Sequence, residues 1–429
     1  MLQLNIALTL LGSTFVPIAN GVTFQPLDQQ PGLIDNGTFG PAIEIVHLFE
    51  GQPPIGITVS QSGRAIVNFN RGDLSSNPLT VAEITNSTSE APFPSLEFNT
   101  PPNGLTNNDT SERVEGSNDR DHFINVQAVV FDPKGRLWAM DTGRPVLEGG
   151  DNPPSSPGGP KLMGFDMNSN DSTSPAPFKT IFFTEDVLPP LGYLNDIRFD
   201  LRSNLTASGE GIAYIADSGA HGVIVVDLGT GESWRHLDQL GPVNPTSHFL
   251  PVLFGTPTYQ SSKLRPAFHW ETVAGGGIDG IAISADGLFI YFTPIASRDL
   301  YRVETAPLRV NPANDPFATI RAAQTIQYLG QMGGAADGLE TDDTGLIYLS
   351  QPEHNSINTF NPATGAVELF VRDPRMAWPD TLSVADDGFL YMTANQLWLS
   401  PVYQNGTDKR VKPFALIRVP IPGKPVKLM

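Results

Sequence analysis

Four aspartates of this 429-residue chain stand at the heads of short apolar runs: Asp196 in NDIRFDL, Asp279 in GGGIDG, Asp337 in GAADGL and Asp380 in WPDTL. Asn125 and Gln127 head another such run, and Asn195 directly precedes Asp196. If the runs are copies of one unit set around an axis, these side chains converge. A ring of oxygens can hold a hard cation such as Ca²⁺. A crowded carboxylate whose pKa is raised by burial and by its neighbours can also serve as a general acid or base. The structural alternative is that each Asp accepts backbone N–H bonds from the loop beside it.

A second polar set follows the same runs. Asp141, Asp217, Glu353-His354-Asn355 and Asn395-Gln396 read first as turns, and His354 is the member able to move protons near neutral pH. The candidate catalytic residues are therefore Asp196, Asp279, Asp337, Asp380, His354, Gln127 and Gln396. Asn195, Trp378 and Asn395 are the candidate substrate-binding residues, Trp378 as a wall. A neutral hydrogen-bond donor is expected to matter more than a nucleophile. The sequence contains no G-x-S-x-G elbow, no Walker A motif and no H-E-x-x-H. Cysteine is absent, which excludes disulfides, thiol nucleophiles and Cys-ligated metals. No cofactor is expected, with Ca²⁺ on the carboxylate ring as the alternative.

The elements that must position these residues repeat. An apolar-alternating strand, a polar turn with Asp, Gly or Ser, and a second strand recur six times. They lie at residues 57–69 (ITVSQSGRAIVNF), 128–141 (AVVFDPKGRLWAMD), 196–217, 280–293 (GIAISADGLFIYFT), 338–350 (GLETDDTGLIYLS) and 381–393 (TLSVADDGFLYMT). Each reads as a β-hairpin. Further strands follow several of them, at residues 222–237, 299–305 and 356–371. Four strands per repeat is one blade of a propeller, so the pattern predicts an all-β, six-bladed β-propeller with four-stranded antiparallel blades. Long helical periods are missing. The 41 Gly and 39 Pro exceed ordinary usage of about 12% and fit many tight turns. Residues 21–50 are expected to pack outside or to close the ring.

A net charge of −19 disfavours a nucleic-acid or anionic-membrane surface and leaves a small molecule as the expected partner. Residues 2–18 are largely apolar and uncharged and lead to Ala19-Asn20-Gly21, which reads as a secretory signal peptide over 1–21 ahead of a single domain over 22–429. N-x-[ST] sequons at Asn36, Asn86, Asn108, Asn170, Asn204 and Asn405 fit a secreted glycoprotein.

Several blocks in order resemble the yellow/major royal jelly protein family. They include VQAVVFDPKGRLWAMDTG (126–143), NDIRFDL (195–201), AYIADSGAHGVIVVDLGTGESWRHL (213–237), ADGLETDDTGLIY (336–348) and DPRMAWPDTLSVADDGFLYMTANQL (373–397). The resemblance implies a secreted six-bladed propeller with a ligand channel. Insect members usually carry cysteines, from which this sequence departs. Family activities span dopachrome tautomerase-like isomerases and ligand-binding proteins; related gluconolactonase-like propellers are metal-dependent hydrolases. Secreted fungal propellers of similar look include hetero-Diels–Alderases, which join a quinone methide to a terpene without a cofactor. The expected function is such a cofactor-independent cyclase or isomerase. The alternatives are a tautomerase, a metal-dependent lactonase and a secreted binding protein.

Overall fold

The computed structural model describes residues 35–71, 78–105, 113–146, 152–167, 176–259 and 276–429. The proposed signal peptide and the sequons at Asn108 and Asn170 lie outside the described residues. The chain divides into a short unit, Met1–Asn36, and a large one, Gly37–Met429.

Among the described residues the large unit holds six four-stranded antiparallel sheets and one two-stranded hairpin, Val252–Leu253 with Thr256–Pro257. The first blade runs through Pro54–Val59, Ala65–Phe69, Val81–Asn86 and Ser89–Pro92, and the second through Val126–Phe131, Leu137–Asp141, Lys161–Phe165 and Lys179–Phe182. The third comprises Leu194–Asp200, Ile212–Asp217, Gly222–Asp227 and Ser233–His236. The fourth comprises Ile278–Ile283, Phe289–Pro294, Asp299–Glu304 and Gln327–Gln331, the last reached through two short helices, Thr305–Leu308 and Ala318–Gln324. The fifth is Leu339–Thr341, Ile347–Gln351, Ser356–Asn361 and Ala366–Arg372. The sixth takes Pro379–Val384, Phe389–Ala394 and Phe414–Pro420 from late in the chain and Glu44–Phe49 from its start. Each innermost strand packs against its two counterparts in the neighbouring blades, which closes a six-membered ring. The six hairpins read from the sequence are the two inner strands of the six blades, and of the two places expected for residues 21–50, outside the ring or closing it, Glu44–Phe49 takes the second.

The core is a set of seams between blades. Both faces of a blade are covered, so its strands read as continuous apolar runs such as IAYIAD (Ile212–Asp217) and GVIVVD (Gly222–Asp227). One seam packs Trp138, Met140 and Leu162 of the second blade against Leu194, Ile197 and Phe199 of the third. The next packs Tyr214 and Val225 against Ile281 and Phe292, and four further clusters fill the other seams. Each fully buried Leu, Ile or Phe contributes roughly 1.5–3 kcal/mol.

The hairpin turns carry a recurring brace. Asp132 Oδ1 accepts the Lys134 and Arg136 amides at 2.9 and 3.0 Å, while its Oδ2 accepts the Trp138 indole N–H at 2.8 Å. Asp342 likewise accepts the Thr344 and Leu346 amides and the Tyr348 hydroxyl, at 3.0, 3.1 and 3.0 Å. Tyr391 donates to Asp387 at 2.7 Å. These aspartates hold turns, and an aromatic of the following strand locks them.

Candidate functional site

The inner strands do not start regularly. A β-bulge breaks the register between Pro54 and Gly56, Val126 and Ala128, Leu194 and Ile197, Ile278 and Ile281, and Pro379 and Leu382. A bulge re-aims the side chains it contains. The residues inside these bulges are Ile55, Gln127, Asn195 with Asp196, Asp279 with Gly280, and Asp380 with Thr381. Repeated bulges thus set polar side chains at one level of the ring. Gln127, Asn195, Asp196, Asp279, Asp337 and Asp380 all line one axial cavity of about 30 Å³. The first blade contributes Ile57 and Thr58 to it rather than an acid.

Two Asp-Gly pairs make the ring this narrow. A Cβ on Gly280 would lie 2.1 Å from the Asp337 carbonyl oxygen, and one on Gly338 would lie 2.4 Å from that of Asp380. Only glycine lets the fourth, fifth and sixth blades approach so closely. The sequence placed these aspartates at strand heads; the work of the glycine after each is close approach between strands.

Each ring carboxylate has a defined partner. Asn195 Nδ2 donates to Asp279 Oδ2 at 2.7 Å, and Asn395 Nδ2 donates to Asp380 Oδ2 at 2.6 Å. Trp378 Nε1 donates to Asp337 Oδ2 at 2.7 Å. Asp196 is paired with Arg198 at 2.6 Å and accepts the Ile197 amide at 2.8 Å. Burial pushes the Asp279 carboxyl well above the usual carboxylate range, and the charges of Asp337, Asp380 and Asp196 add to the shift. Asp380 is raised in the same way, by burial first and then by the Asp337 charge. Burial lifts Asp337 to about 6, held from rising further by hydrogen bonds from Trp378 and Asp279. The hydrogen bond between the two carboxyls raises Asp279 and lowers Asp337, so it favours the proton on Asp279. No three His, Asp or Glu side chains among the described residues are disposed as a metal site requires.

Above Asp337 lies an aromatic shelf. Trp378 stacks on Trp398 at 6.5 Å and 17° between planes, and Trp398 stacks on Phe254 at 5.2 Å and 25°. Trp398, Phe254, Leu253, Tyr259 and Tyr403 line a rim pocket of about 540 Å³, bordered by Gln404 and Asn405. Tyr403 is 5% exposed; burial, with the nearby charges of Asp337 and Asp279, raises its phenol pKa and keeps it protonated. Phe254, Trp378, Gln396 and Asn405 all have φ between 50° and 62°. For bulky residues such a backbone costs on the order of 1–3 kcal/mol, and strain of this kind clusters at functional sites. Glu353 braces the shelf. It accepts Arg298 at 2.6 and 2.8 Å, the Val252 amide at 2.9 Å and the Ala335 amide at 2.8 Å.

His354 does not join the ring. Its side chain is exposed, with the Gly333 carbonyl 3.5 Å from Nε2, because the turn at Pro352–His354 sends Glu353 inward instead. Gln396 is also set apart: it grips the Val411 backbone through its carbonyl oxygen and its amide, at 2.8 and 2.7 Å. Gln127 lines the cavity while accepting the Tyr193 hydroxyl at 2.8 Å. Asp141 and Asp217 cap loops, accepting Ile124 and Tyr193 amides at 2.7 and 2.8 Å respectively. Sequence reasoning missed Tyr403, Phe254, Arg198 and Glu340. Arg198 and Glu340 did leave a signal, each being a charge inside an inner strand.

The family model described as Major royal jelly protein matches residues 124–413. The chain belongs to the major royal jelly protein family. Major royal jelly protein 7 of Apis mellifera is 25% identical over 219 residues, covering 48% of this chain and 43% of that protein. The chain thus aligns with less than half the length of this curated relative. A luciferin-regenerating enzyme shares the fold, with a TM-score of 0.50 at 13% identity over 91% of this chain and 99% of that one. A putative gluconolactonase is similar at a TM-score of 0.47 and 11% identity, over 90% of this chain and 93% of the other.

Proposed function

We propose that this chain is a cofactor-independent cyclase or isomerase acting on a small, unsaturated, largely apolar metabolite. A quinone methide reacting with a terpene alkene is the kind of substrate meant. The observation that carries the reading is the Phe254–Trp398–Trp378 stack beside Tyr403, at the mouth of a 540 Å³ pocket. A pericyclic step asks little of a protein beyond holding two partners in a reactive pose and polarising a carbonyl. The stacked rings supply flat apolar walls for conjugated partners. Tyr403 lines the pocket, and burial first, then the charges of Asp337 and Asp279, keep its phenol neutral; a small rotation of this buried hydroxyl toward the pocket lets it donate to the carbonyl that gains negative charge. The ring acids act at one remove, since Asp337 fixes the indole edge of Trp378, on which the pocket-lining Trp398 stacks. The axial cavity, at about 30 Å³, holds a water-sized guest, so the organic substrate belongs in the rim pocket.

The test is incubation of purified protein with an ortho-quinone methide generated in situ and a terpene alkene. Wild type should accelerate cycloaddition and fix its stereochemistry. Tyr403→Phe keeps the wall and removes the donor, so turnover should fall by about a hundredfold with KM little changed. Trp398→Ala should raise KM. An unchanged rate and a racemic product with wild type would remove the cyclase reading.

We further infer export and N-glycosylation of this chain. Asn36, Asn86, Asn204 and Asn405 are exposed, as an acceptor must be. Mass spectrometry of the secreted protein before and after deglycosylation checks this.

A further inference from the structure

The other end of the channel holds a second, separate cavity of about 450 Å³. Its walls come from the hairpin turns of the first, second and sixth blades, through Ser60, Lys134 and Asp386, and from the segment Pro425–Lys427. That segment is tied across the ends of the blades. The Asp343 amide donates to the Lys424 carbonyl at 2.8 Å, the Leu201 amide to that of Leu428 at 2.9 Å, and Lys427 pairs with Asp386 at 2.7 Å. Arg198 and Glu340 line this cavity, and both also line the axial one, so their pair at 3.4 Å forms the partition between the two.

The lining is unusual for this chain. The protein carries a net charge of −19 with 26 Lys and Arg in all, yet Arg64, Lys134, Arg198 and Lys427 meet around this one space. Asp132, Glu340 and Asp386 line the space with them, and Arg64 is held at 2.7 Å by Glu83, outside it. Arg198 is 6% exposed and spends its terminal nitrogens on Asp196, Glu340 and the carbonyls of Ile197 and Leu339. Its Nε is buried with no hydrogen-bond partner. A buried guanidinium N–H left unmatched is costly, and an acceptor at the floor of the cavity would relieve it. The two lysines can turn toward a guest at little loss. Lys134 is held by Glu210 at 3.3 Å and Lys427 by Asp386, in part-exposed pairs of a kind that contribute little.

We infer that this opposite-face cavity is a binding site for a small multivalent oxyanion, bearing carboxylate or phosphate groups. Lys134 and Lys427 meet its charges and Arg198 lies at its base. The site is independent of the rim pocket and of the cyclase reading. It offers the chain a second ligand, of a chemistry opposite to the apolar substrate.

Isothermal titration of the full chain with tricarballylate, pyrophosphate and, as a neutral control of similar size, glucose tests it. Saturable binding of an anion, weakening with salt, is expected. The preferred anion tells carboxylate from phosphate. The double variant Lys134→Ala/Lys427→Ala changes only exposed side chains and should weaken that binding by about tenfold or more. Its cycloaddition rate should match wild type. Arg198→Gln, checked for folding by circular dichroism, should weaken it as well. Failure of both anions to bind saturably would overturn the proposal, as would equal binding of glucose or an affinity unmoved by the double variant.

Discussion

Asp337 is the residue through which the ring and the shelf communicate. Its carboxylate holds the Trp378 indole N–H and accepts from Asp279. Because burial raises its folded pKa from the ordinary 3.8 to about 6, its protonated form is favoured by folding. The stability it adds is complete below the ordinary carboxyl value and is lost as pH rises through about 6. Asp337→Asn removes that dependence. The variant should therefore gain on wild type between pH 4 and pH 8, by up to about 3 kcal/mol in the difference curve. Urea unfolding midpoints at pH 4, 6 and 8 measure it; parallel curves would mean that Asp337 titrates normally. The aspartates at the strand heads could be named from the sequence because they repeat. Tyr403 could not, since it lies in a segment, PVYQNG, with no period and no counterpart in other blades. His354 stood out by residue type, yet its buried neighbour Glu353 holds the shelf, and nothing in a turn sequence says which of two adjacent side chains points inward.

At the level of elements, the inner strands do most of the positioning. Hairpins were legible because alternation and Asp or Gly turns are local signals. The bulges at the strand starts were not, as a bulge depends on how the partner strand pairs. Yet the bulges decide that Gln127, Asp196, Asp279 and Asp380 face the axis. The Asp-Gly pairs show the same limit: the sequence marks the Asp as a strand head, but says nothing of the close strand approach that the following Gly permits. Gly338→Ala puts a methyl 2.4 Å from the Asp380 carbonyl oxygen and 3.1 Å from Thr381 Cα, both backbone atoms. The fifth and sixth blades must then part. A loss of about 1–3 kcal/mol is expected. Gly365→Ala, at a turn where an added Cβ meets nothing but φ is +73°, should cost only the backbone strain of about 1 kcal/mol. Denaturant titration of the two variants separates close approach from turn conformation. Equal losses would count against the close-approach account.

On the scale of the whole molecule, the six-bladed ring followed from counting hairpins, whereas closure by an early strand was one of two places open to residues 21–50. The sixth blade pairs Glu44 with Arg418 and Phe49 with Phe414, so its outer seam joins residues more than 360 positions apart. His47 adds a clasp to the first blade, its ring nitrogens 2.7 Å from the Asn86 carbonyl and 2.7 Å from Glu90, and the Leu48 amide donates to Ser87 at 3.0 Å. Removing residues 1–50 should leave the strand Phe414–Pro420 with an open edge. Such an edge recruits another chain. Light scattering should then show concentration-dependent association, and a synthetic peptide of residues 42–50 added in trans should restore the monomer. A truncated chain that stays monomeric without the peptide would show that the seam is not needed.

That closure also has a mechanical side. The ring is a belt fastened by one six-residue strand, Glu44–Phe49, while the links between the other blades are covalent. Stretched, the belt would come undone at its buckle, with five blades still folded, and the axial carboxyl cluster would meet water before any single blade had unravelled.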